Sequence, residues 1–142
     1  MIAVDISGRH KSDNGEYYMV AAAVLIDIEP TGIYKVHEIR TKTFSSDKAP
    51  DLISVVKMIE TAAETIKNKD AVIVIEQGDM FNINEQYLKT LFFRDVKFQE
   101  SIGERRAIEI AHHVSLSTRR LLIKEWEKIE RKIRKNEKNQ KK

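Results

Sequence analysis

The sequence predicts an α/β fold, a mixed five-stranded sheet flanked by helices in the order βββαβαβα, with a long C-terminal helix. Three observations lead there. The first third of the chain holds three strand-like runs separated by tight-turn residues. A continuous apolar run, AVIVI at residues 71–75, has the composition of a strand covered on both faces. Between and after these runs, apolar residues recur at spacings of three and four.

Each element has its own justification. Residues 1–7 (MIAVDIS) are short and mostly apolar, as a buried strand requires. Ser12-Asp13-Asn14-Gly15 is a strong turn signal. Residues 17–29 are rich in Val, Ala, Ile and Tyr and form a second strand. Pro30-Thr31-Gly32 is a tight turn, and residues 33–44 alternate as a third strand with one wet face. Residues 45–50 are a loop. Pro50 suits a first helical turn, with Asp51 near the positive end of the dipole. Leu52, Val55, Val56, Ile59, Ala62, Ala63 and Ile66 then mark an amphipathic helix over residues 51–67. Asn68-Lys69-Asp70 ends it, strand four follows at 71–75, and Gln77-Gly78-Asp79 breaks that strand. Residues 84–93 are a short helix, 95–99 a fifth strand, and Gly103 opens a helix running to about Arg134.

The length of 142 residues predicts one domain at 1–118, with a helical extension at 119–142 continuous with the last helix. Net charge is +3. Residues 119–142 carry eleven Lys/Arg against four Asp/Glu, or +7, which leaves −4 for the body. An acidic body with a basic arm points to a polyanionic partner. With no cysteine, disulfides, thiolate metal sites and cysteine nucleophiles are excluded. No apolar run reaches membrane-span length, and residues 1–8 have no basic leader, so a cytoplasmic chain is expected.

Two acids stand where a structural role is uncomfortable. Asp5 lies within the first apolar strand, and Glu76 ends AVIVI. Neither strand supplies a Lys or Arg, and a desolvated carboxylate needs a partner. If strands one and four are parallel neighbours, the two acids come side by side and repel unless a cation lies between them. Oxygen ligation favours Mg²⁺ or Mn²⁺. Glu104, in the first turn of the last helix, shares a face with Ile108, Ala111 and Ser115 and is the expected third ligand. Its rival is Glu109, about 140° around that helix, with His112 and His113; Glu109 and His113 form an i, i+4 pair. His10 reads as a loop residue and His37 as an exposed strand residue. No phosphate-cradling glycine motif and no nucleophile elbow is present.

This pattern resembles the ribonuclease H-like fold, and within it the RuvC-type Holliday junction resolvases. The resemblance covers about residues 1–117. Asp5-Ile6-Ser7-Gly8-Arg9 is similar to the resolvases' Asp-Pro-Gly-Ser-Arg, and Ile75-Glu76-Gln77 matches their Ile-Glu-Gln after strand four. Residues 106–113 (RAIEIAHH) look like their final helix. The chain also resembles a small archaeal family within this superfamily. The resolvases carry two aspartates three apart at the start of that helix; here the stretch is Gly103-Glu104-Arg105-Arg106.

The resemblance implies a two-metal nuclease that hydrolyses phosphodiester bonds in structured nucleic acid, DNA or RNA. Asp5, Glu76 and Glu104 would be its catalytic ligands, with Glu109 or His113 helping. Arg9, Lys11, Arg105, Arg106 and the basic arm would hold the nucleic-acid backbone. The alternative is a non-catalytic ribonuclease H-like binding or scaffold module. A stripe through Leu122, Trp126, Ile129 and Ile133 has coiled-coil spacing and predicts a homodimer through the C-terminal helix.

Overall fold

The computed structural model describes residues 1–10, 15–68 and 70–140. Most of the Ser12–Gly15 turn, Lys69 and the expected backbone contact Lys11 lie outside the described residues. The strands are β1 (Ile2–Ser7), β2 (Tyr17–Glu29), β3 (Gly32–Ser46), β4 (Ile73–Ile75) and β5 (Val96–Phe98). The helices are α1 (Leu52–Glu64), α2 (Glu85–Leu91) and α3 (Ile102–Gln140), with a 3₁₀ turn at Gln77–Met80. The chain is of the α/β class, and the order matches the sequence prediction element by element.

The sheet order is β3-β2-β1-β4-β5. β1, β2 and β3 form an antiparallel meander. β4 joins β1 in parallel, with Ile2 opposite Ile73 and Ala3 opposite Val74, and β5 joins β4 in parallel. A parallel neighbour requires a crossover, and α1 supplies it.

Alternation along β1 sorts its side chains between two cores. Ile2 and Val4 face α1, α2 and the apolar side of β4 (Ile73, Ile75). Ala3 joins Ala22, Val24, Ile26 and Val74 under Ala107, Ile108 and Ala111 of α3. All three residues of β4 are buried, so this strand is covered on both faces as its composition required.

Several boundaries differ from the sequence reading. Asp51 is the N-cap of α1, accepting from the Ser54 amide at 2.8 Å, so Pro50 precedes the helix rather than opening it. Asn84 caps α2 in the same way through the Tyr87 amide. β3 has wet residues on both faces, not one, because it is an edge strand with register shifts at Leu25/Ile26 and Asp27/Ile28. Its Lys35, Arg40 and Lys42 keep that edge polar. α3 is longer than expected. Its 39 residues extend about 58 Å. Beyond Leu122 it leaves the sheet, and Trp126, Ile129 and Ile133 remain exposed.

The start of α3 sits against the β2–β3 turn, beyond the first residue of β1. The Gly103 amide donates to the Pro30 carbonyl at 3.1 Å. A Cβ on Gly103 would lie 2.0 Å from the Glu29 carbonyl oxygen, so only glycine allows this approach. From there α3 runs in the direction of β1 and reaches the C-terminal end of that strand only at Ser115.

Candidate active site

Ala3, Asp5 and Ser7 are the β1 residues whose side chains face α3, by the period of two. Asp5 is 6% exposed, although its residue type is seldom buried. Its Oδ2 accepts a hydrogen bond from Ser115 Oγ at 3.0 Å and lies 3.2 Å from His112 Nδ1. Ser115 is fully buried, and its Oγ is 2.6 Å from Ser7 Oγ. A serine has one hydroxyl proton. Two acceptors stand 3.0 Å from Ser115 Oγ, Asp5 Oδ2 and the His112 carbonyl; when Ser115 donates to either, its contact with Ser7 is one in which Ser115 accepts.

A second carboxylate meets Asp5 from the other side. Asp79, on the 3₁₀ turn after β4, lines a small pocket with Asp5 and Arg9. Burial first, and then the neighbouring Asp5 charge, push its pKa up to about 6; Arg9 and His112 pull the other way.

Glu76 follows β4 and is exposed. Carrying the β1–β4 register two residues past Ala3 and Val74 sets Glu76 opposite Asp5. The two acids line one cleft of about 390 Å³ with Gln99, Arg105, Ile108, Glu109 and His112. Gln99 Oε1 is buried in that wall with no hydrogen-bond partner among the described residues. Within that same set, no group of three or more His, Asp or Glu stands at metal-ligand spacing.

The third ligand expected from the sequence requires correction. Glu104 does not line the cleft; it caps its own helix. Its Oε1 accepts from the Ser101 and Glu100 amides at 2.9 and 2.8 Å, while Ser101 Oγ accepts from the Glu104 amide. This is a capping box. Its other oxygen meets Lys97 Nζ at 2.9 Å. Spacing assigned the right face of α3 but the wrong end. Ser115, not Glu104, touches Asp5, and it lies eleven residues or about 16 Å further along the axis.

The helper assignment shifts as well. Glu109 does not point away from the sheet; it lines the cleft. His112, rather than His113, reaches Asp5. At 100° per residue His113 falls about a half-turn from the buried Ala111–Ser115 stripe, whereas Arg105, Glu109 and His112 share the flank beside it.

Of the expected backbone contacts, Arg105 lines the cleft and Arg106 pairs with Glu109 at 3.7 Å. Arg9 Nη1 donates to the Asp79 carbonyl at 2.7 Å, and its guanidinium lies 5.1 Å over the Phe81 ring. Phe81 and Asn82 are both left-handed, a costly conformation for a bulky residue, and this bend returns the chain after Asp79. His37 pairs with Asp27 on the exposed sheet edge, 2.7 Å apart.

Sequence reasoning missed Asp79, His112, Ser115, Ser7 and Gln99 as site residues. Asp79 carried a usable signal, an acid three residues after a strand-end acid. Ser115 carried none, because its partner Asp5 is 110 positions away.

Fold and site together define an α/β protein with a buried aspartate where its central parallel strands end and further carboxylates along the cleft beside it. Residues 2–123 match a family described as "Uncharacterized protein conserved in archaea (DUF2209)", and the chain belongs to that family. It is similar to "Uncharacterized protein MJ0095" of Methanocaldococcus jannaschii. The identity is 35% over 127 residues, covering 89% of this chain and 99% of that relative. No solved structure matches the chain. Among the described residues, no helix is long and apolar enough to cross a membrane.

Proposed function

We propose that this protein is a divalent-metal-dependent nuclease of ribonuclease H-like type that hydrolyses phosphodiester bonds in structured nucleic acid. The carrying observation is the Asp5–Asp79 pair. Asp5 is almost wholly buried, and burial and the Asp5 charge both disfavour the Asp79 anion, so a cation bound beside the two would relieve their repulsion. The donors around them fit a hard cation. Asp5, Glu76 and Glu109 offer carboxylate oxygens and His112 one nitrogen along the cleft, and Asp79 a further carboxylate in the small pocket beside Asp5. When bound, Mg²⁺ or Mn²⁺ would supply Lewis-acid charge beside the phosphate and lower the pKa of a water.

The chain's own residues do the positioning. Ser115 and Ser7 hold Asp5 in one orientation, and the β1–β2 and β1–β4 ladders fix its backbone. Arg9 anchors the Asp79 segment from its carbonyl side. Arg105 stands in the cleft to meet a phosphate oxygen. His112 Nδ1 lies 3.2 Å from Asp5 Oδ2, within hydrogen-bond reach of the carboxylate. Hydrolysis forms a bond from water oxygen to phosphorus and breaks the bond to the 3′ oxygen, which leaves with a proton. The exposed stripe of α3 supports a homodimer through Leu122, Trp126, Ile129 and Ile133.

The second reading is a non-catalytic binding or scaffold module. It is favoured by the ready partners of Asp5 and by the absence of a preassembled three-donor group among the described residues. Cleavage of duplex, hybrid, flap and junction substrates with Mg²⁺ or Mn²⁺ separates the two. The nuclease cuts at least one of them and Asp5→Asn abolishes the cut; a scaffold cuts none.

A further inference from the structure

The geometry points to Arg119 as a backbone-phosphate anchor for the nucleic acid, set just beyond the acidic cluster. This rests on the nuclease reading and adds to it where the substrate strand runs.

The anchor is built by the end of β1. The β1–β2 ladder stops at Ser7 opposite Val20. Tyr18, two residues before Val20 in β2, extends past that end, and Arg119 Nε donates to its carbonyl oxygen at 2.7 Å. Gly8 makes room for this contact. It has φ +93°, and a Cβ there would lie 2.2 Å from the Tyr18 oxygen and 2.3 Å from Arg119 Nε. The guanidinium therefore rests against bare backbone, held by one of its five N–H groups. Among the described residues no carboxylate pairs with it. Its terminal nitrogens are a fixed fork of donors, the arrangement that matches phosphate oxygens.

Its position suits a strand leaving the cleft. Arg119 lies one helical turn beyond Ser115, which holds Asp5, and seven residues beyond His112. Seven residues are nearly two turns, so Arg105, His112 and Arg119 occupy one flank of α3 over about 21 Å. Residues 119–142 carry a net charge of +7. A phosphodiester backbone emerging from the acids along this flank meets Arg119 where that positive segment begins.

The test is the salt dependence of binding by the full chain. Fluorescence anisotropy of labelled DNA and RNA hairpins in EDTA reads binding without cleavage. Arg119→Ala should lower the slope of log K against log salt by about 0.9 on the DNA duplex, one phosphate contact, and weaken binding about tenfold at low salt. Arg119→Lys should restore the slope but not the full affinity, because an ammonium lacks the fork. Loss on both hairpins assigns the shared backbone, and loss on one assigns the sugar that goes with it. Arg119→Gln, which can keep a bond to Tyr18, gives the same reading if the alanine variant does not fold. A wild type that binds while the folded Arg119 variants keep its slope overturns the anchor alone. A wild type that binds neither hairpin overturns the nucleic-acid reading and the anchor with it.

Discussion

Replacing Glu104 should cost stability and leave the cleft chemistry in place. The side chain satisfies the Ser101 and Glu100 amides and meets Lys97, whose side chain is 29% exposed. Removing an N-terminal cap costs about 0.5–2 kcal/mol, and a part-exposed ion pair adds roughly 0.5–1 kcal/mol. Glu104→Ala should therefore lose about 2 kcal/mol. At roughly 4 °C per kcal/mol for a chain of this length, Tm falls by about 8 °C. Glu104→Gln keeps an oxygen for the two amides and loses the charge, so about 1 kcal/mol and 4 °C are expected. pH separates the charge from the packing. Burial alone would raise the Glu104 pKa, but the Ser101 amide, Lys97 and the Glu100 amide together hold it below the ordinary 4.5. The charged contribution is thus complete above about pH 4.5 and is lost as pH falls through the lowered folded value. Thermal melts followed by circular dichroism near pH 7 and below pH 4 should show the wild type and Glu104→Gln converging in acid. If Glu104→Ala melts with the wild type yet no longer binds Mn²⁺, the capping role is refuted and Glu104 belongs among the ligands.

Asp79 should give the opposite pH profile in metal-free protein. Its folded pKa is raised from 3.8 to about 6, so its stabilising contribution is complete below about pH 4 and lost as pH rises through 6. Two units correspond to about 3 kcal/mol, and partial solvent screening reduces this to about 1–2 kcal/mol. Urea unfolding in EDTA should find Asp79→Asn more stable than wild type near pH 7.5 and equal near pH 4; parallel pH curves would contradict the carboxyl pair. The C-terminal stripe gives a third expectation. Light scattering should find a wild-type dimer and a Trp126→Ala monomer, since Trp126 is 62% exposed in the protomer; a monomeric wild type removes the dimer.

The fold was legible because its elements announce themselves locally. AVIVI, short and bounded by turn residues, reads as a covered strand, of which Ile73–Ile75 form the ladder, and the Leu52–Ile66 spacing reads as a one-sided helix. The parallel pairing of β1 with β4 followed from a strand after a crossover helix, and with it came Asp5 and Glu76 on one edge. What periodicity could not provide was the place of α3 along the sheet. The stripe Ile108, Ala111 and Ser115 defines a face, and a face says nothing of which turn meets Asp5. That turn is set by Gly103 docking on Pro30, a contact 73 residues apart in sequence. Glu104 therefore looked like a ligand, whereas Ser101 three residues before it marks a capping box in the sequence itself. Asp79 was only partly legible. It follows a strand-end acid by three residues, but the left-handed bend after it begins at Phe81, a residue type that does not signal one, and only Asn82 does.

The most direct test of the central claim is a Mn²⁺ titration by calorimetry near pH 6.5, run in two buffers of different ionisation enthalpy. The account predicts that the wild type binds Mn²⁺ and releases a fraction of a proton, that of the Asp79 carboxyl. It also predicts that Asp5→Asn abolishes binding while its circular dichroism stays native. A wild type that takes up no Mn²⁺, or an Asp5→Asn variant that binds it as the wild type does, would contradict a metal site at this carboxylate pair.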